Sequence, residues 1–268
     1  ADNAASTTQS NNTVTLVDLA VPTITGTTVA SDNSTIAVTF SDAVYNATGS
    51  SGSLEVGDFT LSLSGGVATL SAAPSSISIV GNVYTLGLSL SGTPNGSETV
   101  TVVPSSSTAI YDSADNAAST TQSNNTVTLV DSAAPTLDSS TPSNEATGVA
   151  VDTNIVLTFD DAVDVESGYI TIKKTSDGSI VESIDVTSSL VTGTGTTEIT
   201  INPTEDLASL TGYYLNIETT AFDDASGNSY AGITDATTLN FTAANLGCTV
   251  TGPISLADLK IAIGNEEN

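Results

Sequence analysis

The 268-residue chain carries 30 Asp and Glu against 3 Lys and Arg together, a formal charge of -27, and such a charge repels nucleic acid. Hydrophobic residues at 38% suffice for a core, while only 12% of residues are charged; the rest is rich in Ser, Thr, Gly, Asn and Ala, a β-rich, extracellular texture rather than that of a disordered acidic tail. With no His, Met or Trp and a single Cys, His-based acid–base chemistry, Cys/His zinc sites and an internal disulfide are excluded by counting.

Residues 1–18, ADNAASTTQSNNTVTLVD, recur unchanged as residues 114–131. An offset of 113 residues is the length of a whole domain rather than a solenoid turn. The chain therefore reads as the end of one repeat, a complete module over 19–131 and a divergent second module over 132–243. Val14 and Leu16 repeat Val127 and Leu129, the inward pair of a closing strand. Residues 1–18 are thus expected to close a preceding repeat of a longer polypeptide, the chain lacking an initiating Met. The alternative is a donor strand that completes the sheet of a neighbouring chain and builds a filament.

Within the first module, alternation at period two marks strands with one buried face. The inward sets are Ile36, Val38 and Phe40; Phe59, Leu61 and Leu63; Tyr84, Leu86, Leu88 and Leu90; then Val127 and Leu129. Turn clusters such as Ser64-Gly-Gly66 and Thr93-Pro-Asn-Gly96 separate them. The second module repeats the texture with Ile155, Leu157 and Phe159; Ile170 and Ile172; Ile199 and Ile201; Tyr213, Leu215 and Ile217; and Leu239 with Phe241. About seven short strands in about 110 residues predict an antiparallel β-sandwich for each module, an all-β chain. Residues 244–268 form a tail in which Leu256, Leu259 and Ile263 suit a short helix, or else the start of a further module. No run of 18 apolar residues is present, so no membrane insertion is expected.

Two signatures recur in the same order. Thr35–Phe40 runs into Ser-Asp-Ala-Val44 as Asn154–Phe159 runs into Asp-Asp-Ala-Val163, and Tyr111-Asp-Ser-Ala-Asp-Asn116 is answered by Phe222-Asp-Asp-Ala-Ser-Gly-Asn228. With VTFSDAV, LEVGDFTLSLSGG and YDSADN, residues 21–131 resemble the tandem bacterial Ig-like repeats of large surface and secreted proteins. Residues 145–243, with VDTNIVLTFDDAV, TTEITINP, YYLNIETTAFDDASGN and TLNFTAA, resemble the SbsA-type bacterial Ig-like domain. The resemblance implies tandem Ig-like antiparallel β-sandwiches in a secreted or cell-surface protein, whose modules serve adhesins, S-layers and enzyme spacers alike. Asp115 stands where the family's Asp-x-Ala-Gly-Asn turn commonly has Gly.

In an Ig sandwich, the loop after the second strand and the loop before the last lie at the same end as the incoming linker. For the second module this gathers Asp131, Asp160, Asp161, Asp223 and Asp224; for the first, Asp18, Asp42, Asp112 and Asp115. Carboxylates so crowded repel unless a cation sits among them. Calcium, hard and content with six to eight oxygen ligands of irregular geometry, is the expected cation. A metal tying a linker Asp to two loops makes a stiff stalk. Asp164 and Glu166 read as solvated loop residues. Catalysis is not expected: paired carboxylates here lack aromatic sugar platforms, and the Ser and Thr hydroxyls lack a base. The expected partners are neighbouring modules or chains of the same protein, or a cell-surface glycan or protein receptor. A filament subunit and a spacer or carbohydrate-binding accessory module of a secreted enzyme are the alternatives.

Overall fold

The computed structural model describes residue 14 and residues 16–246. The chain divides into two units, residues 1–133 and residues 134–268. Both are β-sandwiches. Among the described residues there is no α-helix, and no helix long and apolar enough to cross a membrane.

The first unit runs through β1 (Ile24–Val29), β2 (Thr35–Phe40), β3 (Phe59–Ser64), β4 (Thr69–Leu70), β5 (Ile77–Val80), β6 (Val83–Gly87), β7 (Leu90–Ser91), β8 (Thr99–Pro104) and β9 (Thr126–Thr128). One sheet has the order β1-β2-β6-β5 and the other β3-β8-β9, with β4 and β7 forming a small ribbon. Every pairing is antiparallel. The alternation read from the sequence places Ile36, Val38 and Phe40 from one sheet against Phe59 and Leu61 from the other, where Val100 and Val102 of β8, not singled out in the sequence, join the core. Phe40 meets Tyr84 edge-on with ring centres 5.6 Å apart, the geometry that aromatic quadrupoles favour. Leu63, Leu88, Leu90 and Val127, read as inward, are only partly buried and pack against the margin of this core.

The second unit contains β10 (Leu137–Thr141), β11 (Ala146–Val149), β12 (Ile155–Val165), β13 (Tyr169–Lys174), β14 (Ile180–Asp185), β15 (Val191–Thr192), β16 (Thr196–Ile201), β17 (Gly212–Ile217), β18 (Phe222–Asp224) and β19 (Asn240–Ala243). Its sheets are β10-β12-β16-β15, to which β18 adds through β12, and β11-β19-β17-β13-β14. The β11–β19 pair is parallel, the others antiparallel. Ile155, Leu157, Phe159, Ile199 and Ile201 face Ile170, Ile172, Tyr213, Leu215 and Phe241 across the core.

One element departs from the sequence reading. The strand expected to end at Phe159 continues as β12 through Asp160 and Asp161 to Val165. Its pairing with β16 shifts between Thr158 and Val163, as extra residues in one strand require. Buried Val163 then restores the strand and lets β18 pair with it. Asp164 is consequently a half-buried strand residue, not a solvated loop residue, whereas Glu166 just beyond is exposed.

The repeated segment meets two environments. Leu129 is 2% exposed, while Leu16, its counterpart in the repeat, is 88% exposed. Residues 1–13 and 15, and the tail reading at 255–264, lie outside the described residues.

Candidate functional site

Each unit contains the same hydrogen-bonded turn. In the first, the Oδ1 of buried Asp112 accepts from the backbone N–H groups of Ala114 (2.8 Å) and Asn116 (2.9 Å), and Oδ2 accepts from Asn116 Nδ2 (2.9 Å). In the second, Asp224 Oδ1 accepts from Ser226 N–H (2.8 Å) and Asn228 N–H (2.9 Å), and Oδ2 from Asn228 Nδ2 (2.8 Å). A short carboxylate holding its own backbone two and four residues on is an Asx-type turn. Burial pushes the Asp112 carboxyl up, but the Asn116 side chain and the Asn116 and Ala114 N–H groups outweigh it and hold the group below the usual carboxylate range. The third residue after each Asp is left-handed: Asp115 at φ 67° and Gly227 at φ 84°. Asp is among the few side chains that visit this conformation, so its replacement of the family's Gly leaves the turn intact.

This register corrects the match between the signatures. Asp112 corresponds to Asp224, not Asp223, and Asp223 stands where the first unit has Tyr111. Bridges Tyr111↔Ala117 and Asp223↔Ser229 occupy equivalent places. So do the pairs across the strands: Tyr45 opposite Tyr111 in the first unit, Asp164 opposite Asp223 in the second. Where one module sets two aromatic residues side by side, the other sets two carboxylates.

The remaining aspartates are placed as follows. Asp18 touches the first unit's turn through its carbonyl, which accepts from Asn116 Nδ2 at 3.2 Å, while its carboxylate accepts from Ala20 N–H. Asp42 accepts from the Ser41 hydroxyl, and Asp115 from Gly49 N–H at 2.6 Å. Among the described residues, Asp18, Asp42, Asp112 and Asp115 do not form a group of three carboxylates in mutual ligating reach. Asp131 accepts from Ala133 N–H at 3.0 Å. Asp160 is tied by both oxygens to Thr136, through its N–H (2.6 Å) and hydroxyl (2.8 Å). Asp161 is exposed and accepts from Ala162 N–H.

Two acidic residues escape a reading by signature. Asp164, which accepts from the Thr194 hydroxyl at 3.2 Å, is identified only by the continuation of β12. Glu98 is 0% exposed and accepts from the N–H groups of Val67 (2.8 Å), Ala68 (3.0 Å) and Asn95 (3.0 Å). Its one sequence signal is position: an acidic residue one Ser beyond an Asn-Gly turn and before alternating Thr-Val.

Among solved structures, CopC from Methylosinus trichosporium OB3b is 19% identical, with 42% of this chain and 95% of that chain covered and a TM-score of 0.31. The N-terminal part of the bacterial S-layer protein SbsC is 16% identical, covering 80% of this chain and 43% of that one, at a TM-score of 0.31. The S-layer protein rSbsC(31-844) is 18% identical, covering 80% and 31%, again at 0.31. The chain thus spans less than half the length of either S-layer structure. No curated protein matches it. Residues 131–243 match the family described as bacterial Ig-like domain, and the resemblance to bacterial Ig-like modules holds there.

Proposed function

We propose that the chain is a non-enzymatic structural segment of a secreted or cell-surface protein, a stalk of Ig-like modules made rigid by calcium at the entrance of the second module. Bacterial Ig-like domains are typically non-catalytic, which supports the structural role. The observation that carries the calcium reading is the closeness of Asp161 and Asp224, which offer carboxylate oxygens within 4.8 Å of each other: like charges so close repel, and a divalent cation reverses that sign. The opposed Asp164 and Asp223 of the same two strands add to the negative field on the neighbouring face. All are hard oxygen donors, and calcium accepts six to eight of them without strict geometry. In this reading Asp131, the first residue of the family match, is the expected linker ligand, and a cation shared with the incoming segment limits hinge motion between successive modules.

Calorimetric titration of the full chain with CaCl2 tests this. Saturable binding is expected, abolished by Asp161→Asn combined with Asp224→Asn, and at a hundredfold excess over Kd calcium stabilises the folded chain by about 2.7 kcal/mol. A flat titration, with the same melting temperature in calcium and in chelator, contradicts it.

A further inference from the structure

The outer face of the sheet β11-β19-β17-β13-β14 carries a cavity of about 240 Å³, lined by Tyr169, Thr171 and Lys173 of β13, by Asn216 of β17, and by Glu218 and Thr234. That is below the roughly 300–1,000 Å³ of sites for drug-sized ligands, and suits one sugar ring with its neighbours lying across the open ends. Several of the polar side chains that line it are not engaged elsewhere. Thr171 and Thr234 make no side-chain hydrogen bond among the described residues, and Asn216 Nδ2 makes only two long contacts of 3.4 Å. Lys173, one of three cationic residues in a chain with 30 acidic ones, pairs with no carboxylate among the described residues. Its Nζ lies 6.0 Å from the centre of the Tyr214 ring.

Tyr169 is 46% exposed, which leaves a ring face for stacking. By the rise of a strand, Tyr169 and Lys173 stand about 13 Å apart along β13, the span of a short oligosaccharide. One Glu218 oxygen accepts from Tyr169 N–H at 3.1 Å, which fixes the carboxylate at the Tyr169 end. It is an acceptor for hydroxyl donors there and repels an anion, so the anionic group of a ligand belongs at the Lys173 end. β13 and β17 are interior strands of their sheet. A peptide therefore has no free backbone edge to pair with, and recognition falls to side chains offering a ring face, hydroxyls, an amide and one cation.

We propose that this cavity binds an acidic glycan, with one sugar ring on Tyr169, its hydroxyls on Thr171, Asn216 and Glu218, and the carboxylate of a uronic acid residue on Lys173. The site is independent of the calcium reading. Long-range repulsion from the acidic chain is screened beyond about 8 Å at physiological salt, so a single local cation decides the contact.

The test is an NMR titration of the full chain with a trigalacturonate probe, in chelator so that calcium bridging plays no part. Saturable shifts are expected at Tyr169, Thr171, Lys173 and Asn216. Tyr169→Ala, Lys173→Gln and use of the carboxyl-reduced neutral trisaccharide should each weaken binding about tenfold. The neutral probe keeps the test valid if a variant misfolds. No shifts at millimolar probe, shifts confined to other surfaces, or equal affinity for the acidic and neutral probes would each overturn the proposal.

Discussion

Replacing Glu98 with Ala lowers the stability of the first unit by about 3–5 kcal/mol, since three backbone N–H groups lose a buried charged acceptor and each unmet donor costs about 1–3 kcal/mol. The Glu98 carboxylate occupies the space that a side chain on Gly66 would need, and Gly66 has φ 58°. The loop after β3, the turn before β8 and the carboxylate therefore form one hydrogen-bonded knot. Hydrogen exchange of the full chain should show protection lost over residues 24–129 and retained over residues 137–243. Equal loss in both units, or none, contradicts the assignment.

The same group sets a pH response. Burial raises the Glu98 pKa, but the N–H groups of Ala68, Val67 and Asn95 outweigh it and leave it below its ordinary value; Asp112 is lowered in the same way. A carboxyl with a lower pKa folded than unfolded stabilises above its unfolded pKa, about 4, and that stabilisation disappears as pH falls through the folded value. The first unit is therefore expected to lose stability in acid below about pH 4, and Glu98→Gln to flatten that dependence.

The second large effect is at Phe222. This side chain is fully buried, with ring centres 5.6 Å from Phe159 and 6.5 Å from Tyr230. It anchors β18, whose three residues place Asp223 and Asp224 beside β12. Phe222→Ala should cost the second unit about 3–5 kcal/mol through the cavity it leaves. Because β18 loses its anchor, the calcium affinity proposed for that module should fall together with stability. Urea unfolding followed by calcium titration of the variant, at a temperature where it remains folded, separates the two losses. Unchanged calcium binding would show that β18 does not organise the site.

The two sandwiches were legible because alternation at period two survives wherever a strand has one wet and one dry face. Ile36-Val38-Phe40 and Ile155-Leu157-Phe159 are buried as that pattern demands. The acidic signatures were legible as turns but not in register. Aligning Tyr111 with Phe222 follows the aromatic residue, whereas the backbone follows the four-residue span from Asp112 to Asn116 and from Asp224 to Asn228. Nor did the run after Phe159 disclose that the strand continues. Two consecutive Asp residues look like a turn, and only the burial of Val163 and the pairing of β18 keep the chain extended. Glu98 stayed hidden because two of its three donors, the N–H groups of Val67 and Ala68, come from a segment about 30 residues away, a tertiary arrangement that no local pattern encodes.

The claim that calcium joins successive modules into a stiff stalk is tested most directly by backbone 15N relaxation of the full chain with calcium and with chelator. The account predicts a single rotational correlation time for residues 24–129 and 137–243 in calcium, and separate, shorter times for the two segments once the ion is removed. Identical relaxation in both conditions would contradict it.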